Sequence, residues 1–121
     1  MATIDRNEPP TNTEIEQFIN NANFKLPQGF LEFYKESNGA DINGDEAYVM
    51  LWPLTELIQK NKGYNVDVYA PEFFIFGSDG GGTAYAIERA TGHIFDLPFI
   101  GMSREDAIFR CSNFNEFLEG I

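Results

Sequence analysis

The feature that most constrains this chain is a strand–turn–strand run: Phe73-Phe-Ile-Phe76, then Gly77-Ser-Asp-Gly-Gly-Gly82, then Thr83-Ala-Tyr-Ala-Ile-Glu88. Two runs of strand-forming residues flank a glycine-rich turn, where consecutive glycines permit positive φ and close backbone approach. So short a link has no room for a crossover helix, so the two strands must run antiparallel. The second run alternates, placing Tyr85 and Ile87 on one face. Arg89-Ala-Thr-Gly92 reads as a further hairpin connection into His93-Ile-Phe-Asp-Leu97, where Phe95 and Leu97 share a face.

Helical periodicity surrounds this sheet. Residues 1–12 are polar, include Pro9-Pro10, and are expected to be a mobile lead-in to one domain over 13–121. Thr13-Glu-Ile-Glu16 has the form of a capping box, and Ile15, Phe18 and Ile19 follow at helical spacing. Leu26-Pro27-Gln28-Gly29 opens a second helix with Pro27 in its first turn and Phe30, Phe33 and Tyr34 on its buried face. Asn38-Gly39 ends that helix, because both residues tolerate the left-handed conformation. Asp41 to Asp45 then form a turn before a strand over Ala47–Trp52; Pro53 stops the strand. Leu54, Leu57 and Ile58 predict a third helix closing near Gly63, and Phe114, Phe117 and Leu118 a last one capped by Ser112 or Asn113. The expected class is α+β, a mainly antiparallel sheet flanked by helices.

Composition excludes several functions. With 121 residues, 43% hydrophobic and 12 Phe, the chain is long and apolar enough for one core. No apolar stretch reaches the length of a membrane span, and the N-terminus lacks the apolar core of a secretory signal. The single cysteine, Cys111, excludes an intramolecular disulfide and fits a reducing cytoplasm. Eight Lys and Arg against 19 Asp and Glu leave a charge of −11, which makes nucleic acid and anionic membrane poor partners.

No catalytic set assembles. His93 is the only histidine and starts a strand after a hairpin glycine, a structural position. Cys111 lies beside Arg110 ahead of the last helix, but a lone cysteine next to aromatic residues reads as a small core residue. Asp41, Asn43 and Asp45 match the first ligand positions of a calcium loop, yet Glu46 stands where glycine is needed and Trp52 where a bidentate Glu is required. One His and one Cys cannot furnish a transition-metal site. The glycine turn lacks the Lys-Ser/Thr of a phosphate loop and precedes a strand, so no nucleotide or other cofactor is expected. Asp79 either closes that turn or is presented to a partner.

Charge placement carries more information. Between Lys35 and Lys60 there is no basic residue, while Glu36, Asp41, Asp45, Glu46 and Glu56 fall there. From Lys62 to Arg89 the pattern repeats with Asp67, Glu72, Asp79 and Glu88. Such spans either keep the protein dispersed or form a negative face that steers a basic partner. On the second reading Asp41, Asp45, Glu46 and Asp79 contact the partner, with Trp52 as an aromatic anchor unless it is core.

Several of these segments resemble one family. Leu26-Pro27 with Phe30, Phe33, Tyr34 and Asn38-Gly39 is similar to the opening of the SUKH superfamily, which includes the Smi/Knr cell-wall-assembly regulators and many small bacterial proteins. Trp52-Pro-Leu-Thr-Glu-Leu57, Phe76-Gly77-Ser78-Asp79-Gly80-Gly81 and Cys111-Ser-Asn-Phe114 to Leu118 resemble its later motifs, in order, across roughly 13–120. The resemblance implies an α+β fold and no enzymatic activity. It also implies a toxin-neutralising immunity protein whose partner is a toxin domain, frequently a nuclease; the acidic spans add the expectation that this partner's surface is basic. The other branch implies a regulatory module acting on a signalling or cell-envelope protein. On this reading Leu26, Pro27, Asn38, Gly39, Gly77, Gly80 and Gly81 are fold determinants rather than contacts.

Overall fold

A computed structural model describes residues 3–22, 24–45 and 47–121. Its centre is a seven-stranded sheet whose spatial order follows chain order, every neighbouring pair antiparallel. The strands are β1 (Thr3–Arg6), β2 (Ala40–Asn43), β3 (Tyr48–Leu51), β4 (Phe73–Ser78), β5 (Thr83–Glu88), β6 (Ile94–Pro98) and β7 (Ile108–Cys111). The helices are α1 (Asn12–Asn21), α2 (Phe30–Glu36), α3 (Leu57–Gly63), α4 (Val66–Tyr69) and α5 (Phe114–Glu119), with a short 3-10 turn over Leu54–Glu56 leading into α3. This is the α+β class expected from the sequence.

Several expectations shift. Residues 3–6 are not an irregular lead-in: they pair with β2 as an edge strand, Thr3 opposite Asn43 and Arg6 opposite Ala40. Their side chains are all exposed, so no burial pattern marks the strand in the sequence. The capping box is Thr11 with Glu14, not Thr13 with Glu16; the helix starts as soon as Pro9-Pro10 has passed. Ile15 and Phe18 are buried by that helix, but Ile19 turns to solvent. Pro27 precedes α2 rather than lying in its first turn; its carbonyl accepts from the Phe30 amide, and Gly29 at φ +92° is the N-cap. Asp41 and Asn43 belong to β2, and the chain reverses after them, with the Gly44 amide donating to the Ala47 carbonyl at 2.8 Å. Likewise Gly77 and Ser78 complete β4 and the turn shortens to 79–82.

Two glycines are fixed by close approach. Gly39 adopts φ +84° with the Leu51 and Trp52 backbone against it, and a Cβ on Gly77 would meet the Met50 carbonyl oxygen. Asn38 beside Gly39 accepts from the Leu54 amide at 2.6 Å, which ties the end of α2 to the turn that follows β3. Leu26 packs half-buried against the core.

The sheet's two faces follow from register and alternation. On the first face Phe74 meets Phe18 of α1, while Phe76 meets Phe30 of α2 and Phe114 and Phe117 of α5. Ile42, Val49, Leu51, Tyr85 and Ile87 extend that layer. The second face carries Asp5, Asp41, Tyr48 and Met50 on β1–β3, and Ser78, Ala84, Ala86 and Leu97 farther along. β3 pairs with β4 only at its end, Met50 opposite Ser78 and Leu51 opposite Gly77. Beyond that point Asn61 of α3 takes the missing strand's place. Its amide donates to the Ile75 carbonyl at 2.9 Å and accepts from the Ile75 amide at 2.8 Å.

Candidate functional site

The open part of the second face is built by three elements. Alternation along β3 sends Tyr48 and Met50 to that face and the next outward position is Trp52. Tyr64 follows the end of α3, and Phe99 follows β6, held by its amide donating to the Gly82 carbonyl at 3.0 Å. The three rings meet: Trp52 and Tyr64 lie nearly parallel at 9° with centroids 6.1 Å apart, and Phe99 is 4.7 Å from Tyr64. Trp52 is 6% exposed and forms a floor, whereas Tyr64 at 42% forms a wall. Together with Met50, Ser78 and the Gly80-Gly81 backbone they enclose a cleft of about 430 Å³. The ammonium of Lys60 sits 5.2 Å from the Trp52 ring centroid.

An acidic strip borders the cleft. Asp5 of β1 and Asp41 of β2 are direct cross-strand partners. Like charges directly opposite each other on neighbouring strands repel. Asp41 in turn adjoins Tyr48. Partial desolvation, then the charge and hydrogen bonding of Asp41, push the Tyr48 phenol above its ordinary value. A Cβ on Gly80, whose φ is +82°, would lie 3.1 Å from the Tyr48 ring, so the 79–82 turn adjoins the same corner.

The sequence-derived contact residues divide accordingly. Asp41, Asp45 and Asp79 gather at one end of the sheet, because the chain reversal after β2 and the 79–82 turn lie at that end by register. Asp79 closes its own turn, its carboxylate accepting from the Gly81 amide at 2.8 Å and the Thr83 amide at 3.2 Å. Trp52 shares the face but lies beneath the surface. Glu46 lies outside the described residues. Other acids of the two spans are drawn elsewhere: Glu88 is buried and pairs with Arg104 at 2.8 Å, and Asp67 pairs with Arg89 at 3.5 Å. Asp5, Tyr48, Lys60, Tyr64 and Phe99 were not singled out from the sequence. From the sequence came only the strand over Ala47–Trp52 and Trp52 itself as a contact residue.

The arginine side chains are held down. All four guanidinium groups lie over rings: Arg6 on Phe33 at 5.2 Å, Arg89 on Phe24 at 5.2 Å, Arg104 on Phe73 at 5.6 Å and Arg110 on Tyr85 at 5.2 Å. Arg110 also grips Asp96 with two bonds of 2.6 and 2.8 Å, a pairing that raises its pKa further. The negative excess is therefore displayed while much of the positive charge is folded onto aromatic surface.

The residues tested for catalysis are placed differently. Partial burial and then the Glu116 carboxylate push the Cys111 thiol upward, so it stays protonated near neutrality. His93 packs edge-on against Phe109 at 5.7 Å. Among the described residues no group of His, Cys, Asp and Glu is arranged to hold a metal ion, and no helix is long and apolar enough to cross a membrane. Among curated proteins none matches the chain at a significant level. A family model described as SMI1 / KNR4 family (SUKH-1) matches residues 9–120, and the chain belongs to that family.

Proposed function

With that family as the premise, we propose that the protein is a non-catalytic, cytoplasmic immunity protein that binds and neutralises a toxin domain with a basic surface, such as a nuclease of a bacterial polymorphic toxin system. One observation carries the reading: the second sheet face sets the Asp5–Asp41 carboxylate pair beside an open aromatic cleft. Two like charges kept in register weaken the sheet, and a basic partner relieves their repulsion. A nuclease surface is basic because it must hold phosphates, so an acidic face complements it and speeds the encounter. Occluding such a surface requires contact area and charge, not a reactive group.

Co-expression with the protein encoded upstream, taken as the candidate toxin, tests the reading. Wild type is expected to restore growth and to co-purify with the toxin. The Asp5→Lys/Asp41→Lys double variant is expected to associate at least tenfold more slowly at low salt while its melting temperature does not fall. Growth arrest undiminished by wild type sinks the proposal. Capture of a kinase or an envelope enzyme in place of a toxin shifts the function to a regulatory binding module.

A further inference from the structure

We propose that the Trp52–Tyr64–Phe99 cleft receives a guanidinium group from an extended, arginine-bearing segment of the protein partner, and that Lys60 is its intramolecular stand-in. The inference rests on the protein-binding reading above and names the chemistry that its site accepts. Three observations lead to it.

First, the cleft already holds a cation. The Lys60 ammonium lies 5.2 Å from the Trp52 centroid, the separation at which a ring face attracts positive charge. Lysine is a flexible tether, and its partner after release is at hand. Glu56, four residues earlier, shares with Lys60 and Tyr64 an adjoining hollow of about 330 Å³. The ammonium can therefore leave the Trp52 ring for the Glu56 carboxylate when another cation arrives.

Second, the walls suit a planar cation better than a point charge. Trp52 and Tyr64 are nearly parallel, and Phe99 lies against Tyr64 with Tyr64 half-open to solvent. Guanidinium is flat, weakly hydrated and stacks on such surfaces, whereas ammonium does not stack. The same chain lays each of its own guanidinium groups on an aromatic ring.

Third, the surroundings select charge of one sign. Asp41 and Asp5 lie on the same sheet face, and the whole chain carries −11. A purely apolar segment would gain nothing from that field, and an acidic one would be repelled by it. The cleft is lined by Met50, whose register partner on β2 is Asp41, so an extended segment can lay one side chain in the cleft and continue along the acidic strip.

The test uses the chain's sole tryptophan, which forms the cleft floor, as its reporter. The full-length protein is titrated with a short extended peptide carrying two arginines, and separately with the same peptide carrying citrulline, which keeps the shape and loses the charge. The arginine peptide is expected to change Trp52 emission saturably and the citrulline peptide to leave it unmoved. Tyr64→Ala, which alters no charge, is expected to weaken the arginine peptide about fivefold, and Lys60→Met to tighten it about threefold. Melting curves check that both variants stay folded. Equal response to citrulline overturns the proposal. So does unchanged affinity in Tyr64→Ala, which is the signature of diffuse attraction to an acidic surface. Lys60→Met binding no tighter than wild type removes the stand-in role and overturns it as well. Toxin rescue separates the two readings: if wild type rescues growth while the peptide ignores the cleft, neutralisation stands and the guanidinium receptor falls.

Discussion

The two faces of the sheet are made from the same strands and differ in what their aromatic rings do. On the helix-covered face Phe30 is fully buried, touching Phe18, Tyr34, Phe76 and Phe114 with centroids 4.8–6.1 Å away. On the other face Trp52, Tyr64 and Phe99 meet one another but leave a hollow beside them. Rings packed on all sides supply cohesion. Rings packed on one side leave part of their surface open to solvent. The polar groups follow the same division. Tyr34 is buried and donates its hydroxyl to the Trp52 carbonyl at 2.8 Å, and burial drives its pKa far upward. Tyr48 stands at the open corner against Asp41.

The largest effect that can break this comparison is loss of a ring on the packed face. Phe30→Ala is expected to cost about 4 kcal/mol, as cavity formation adds to lost transfer energy, whereas Tyr64→Ala is expected to cost less than about 1 kcal/mol. Urea denaturation of the two variants measures both, and equal losses would dissolve the distinction. A smaller effect comes from Glu88, which accepts from the Thr91 hydroxyl at 2.7 Å and pairs with Arg104. The Thr91 bond is the main cause of its lowered pKa, with Arg104 reinforcing it. Because the folded pKa lies below the unfolded one, this stabilisation is complete above the ordinary glutamate range. It fades as pH falls through the folded value. Glu88→Gln is expected to cost about 1 kcal/mol at neutral pH, since half-exposed Arg104 is screened by solvent. The gap to wild type should close in acid, as thermal melts across pH 2–7 would show, and a gap constant with pH would remove the carboxylate's role. The smallest effect has the opposite sign. Asp5→Asn is expected to stabilise the free protein by about 0.3 kcal/mol, more at low salt than at high, by relieving the repulsion with Asp41. Destabilisation would mean that the pair is not under electrostatic stress.

What the sequence made legible is the part whose signal is local. The β4–β5–β6 hairpins declare themselves through short turns, and α1, α2 and α5 through apolar spacing that burial at Ile15, Phe18, Phe30, Phe114 and Phe117 matches. β1 and β7 escaped because neither alternates in burial: every side chain of β1 is exposed, and β7 sets Ile108 and Phe109 outward. An edge strand gets its conformation from its neighbour's backbone, which leaves little mark on side-chain pattern. Likewise Thr11 and Thr13 both begin a capping box, and only the preceding prolines decide between them. The candidate site was legible on one side only. Asp41 and Trp52 stand close in sequence to the β3 signal, but Tyr64 and Phe99 arrive from elements far along the chain. Asp5 was hidden within a segment that looked structureless.

The order of strands in the sheet also bears on how the molecule is assembled in time. β4, β5 and β6 are joined by residues 79–82 and 89–93, so their pairing needs only short loops to close. β1 reaches β2 across residues 7–39, for which loop closure is costlier by about 2 kcal/mol. The central hairpins therefore form the natural nucleus, and the β1 edge is the last part to zip and the first to fray. The Asp5–Asp41 carboxylate pair straddles that seam, so the acidic strip is complete only when β1 has docked on β2.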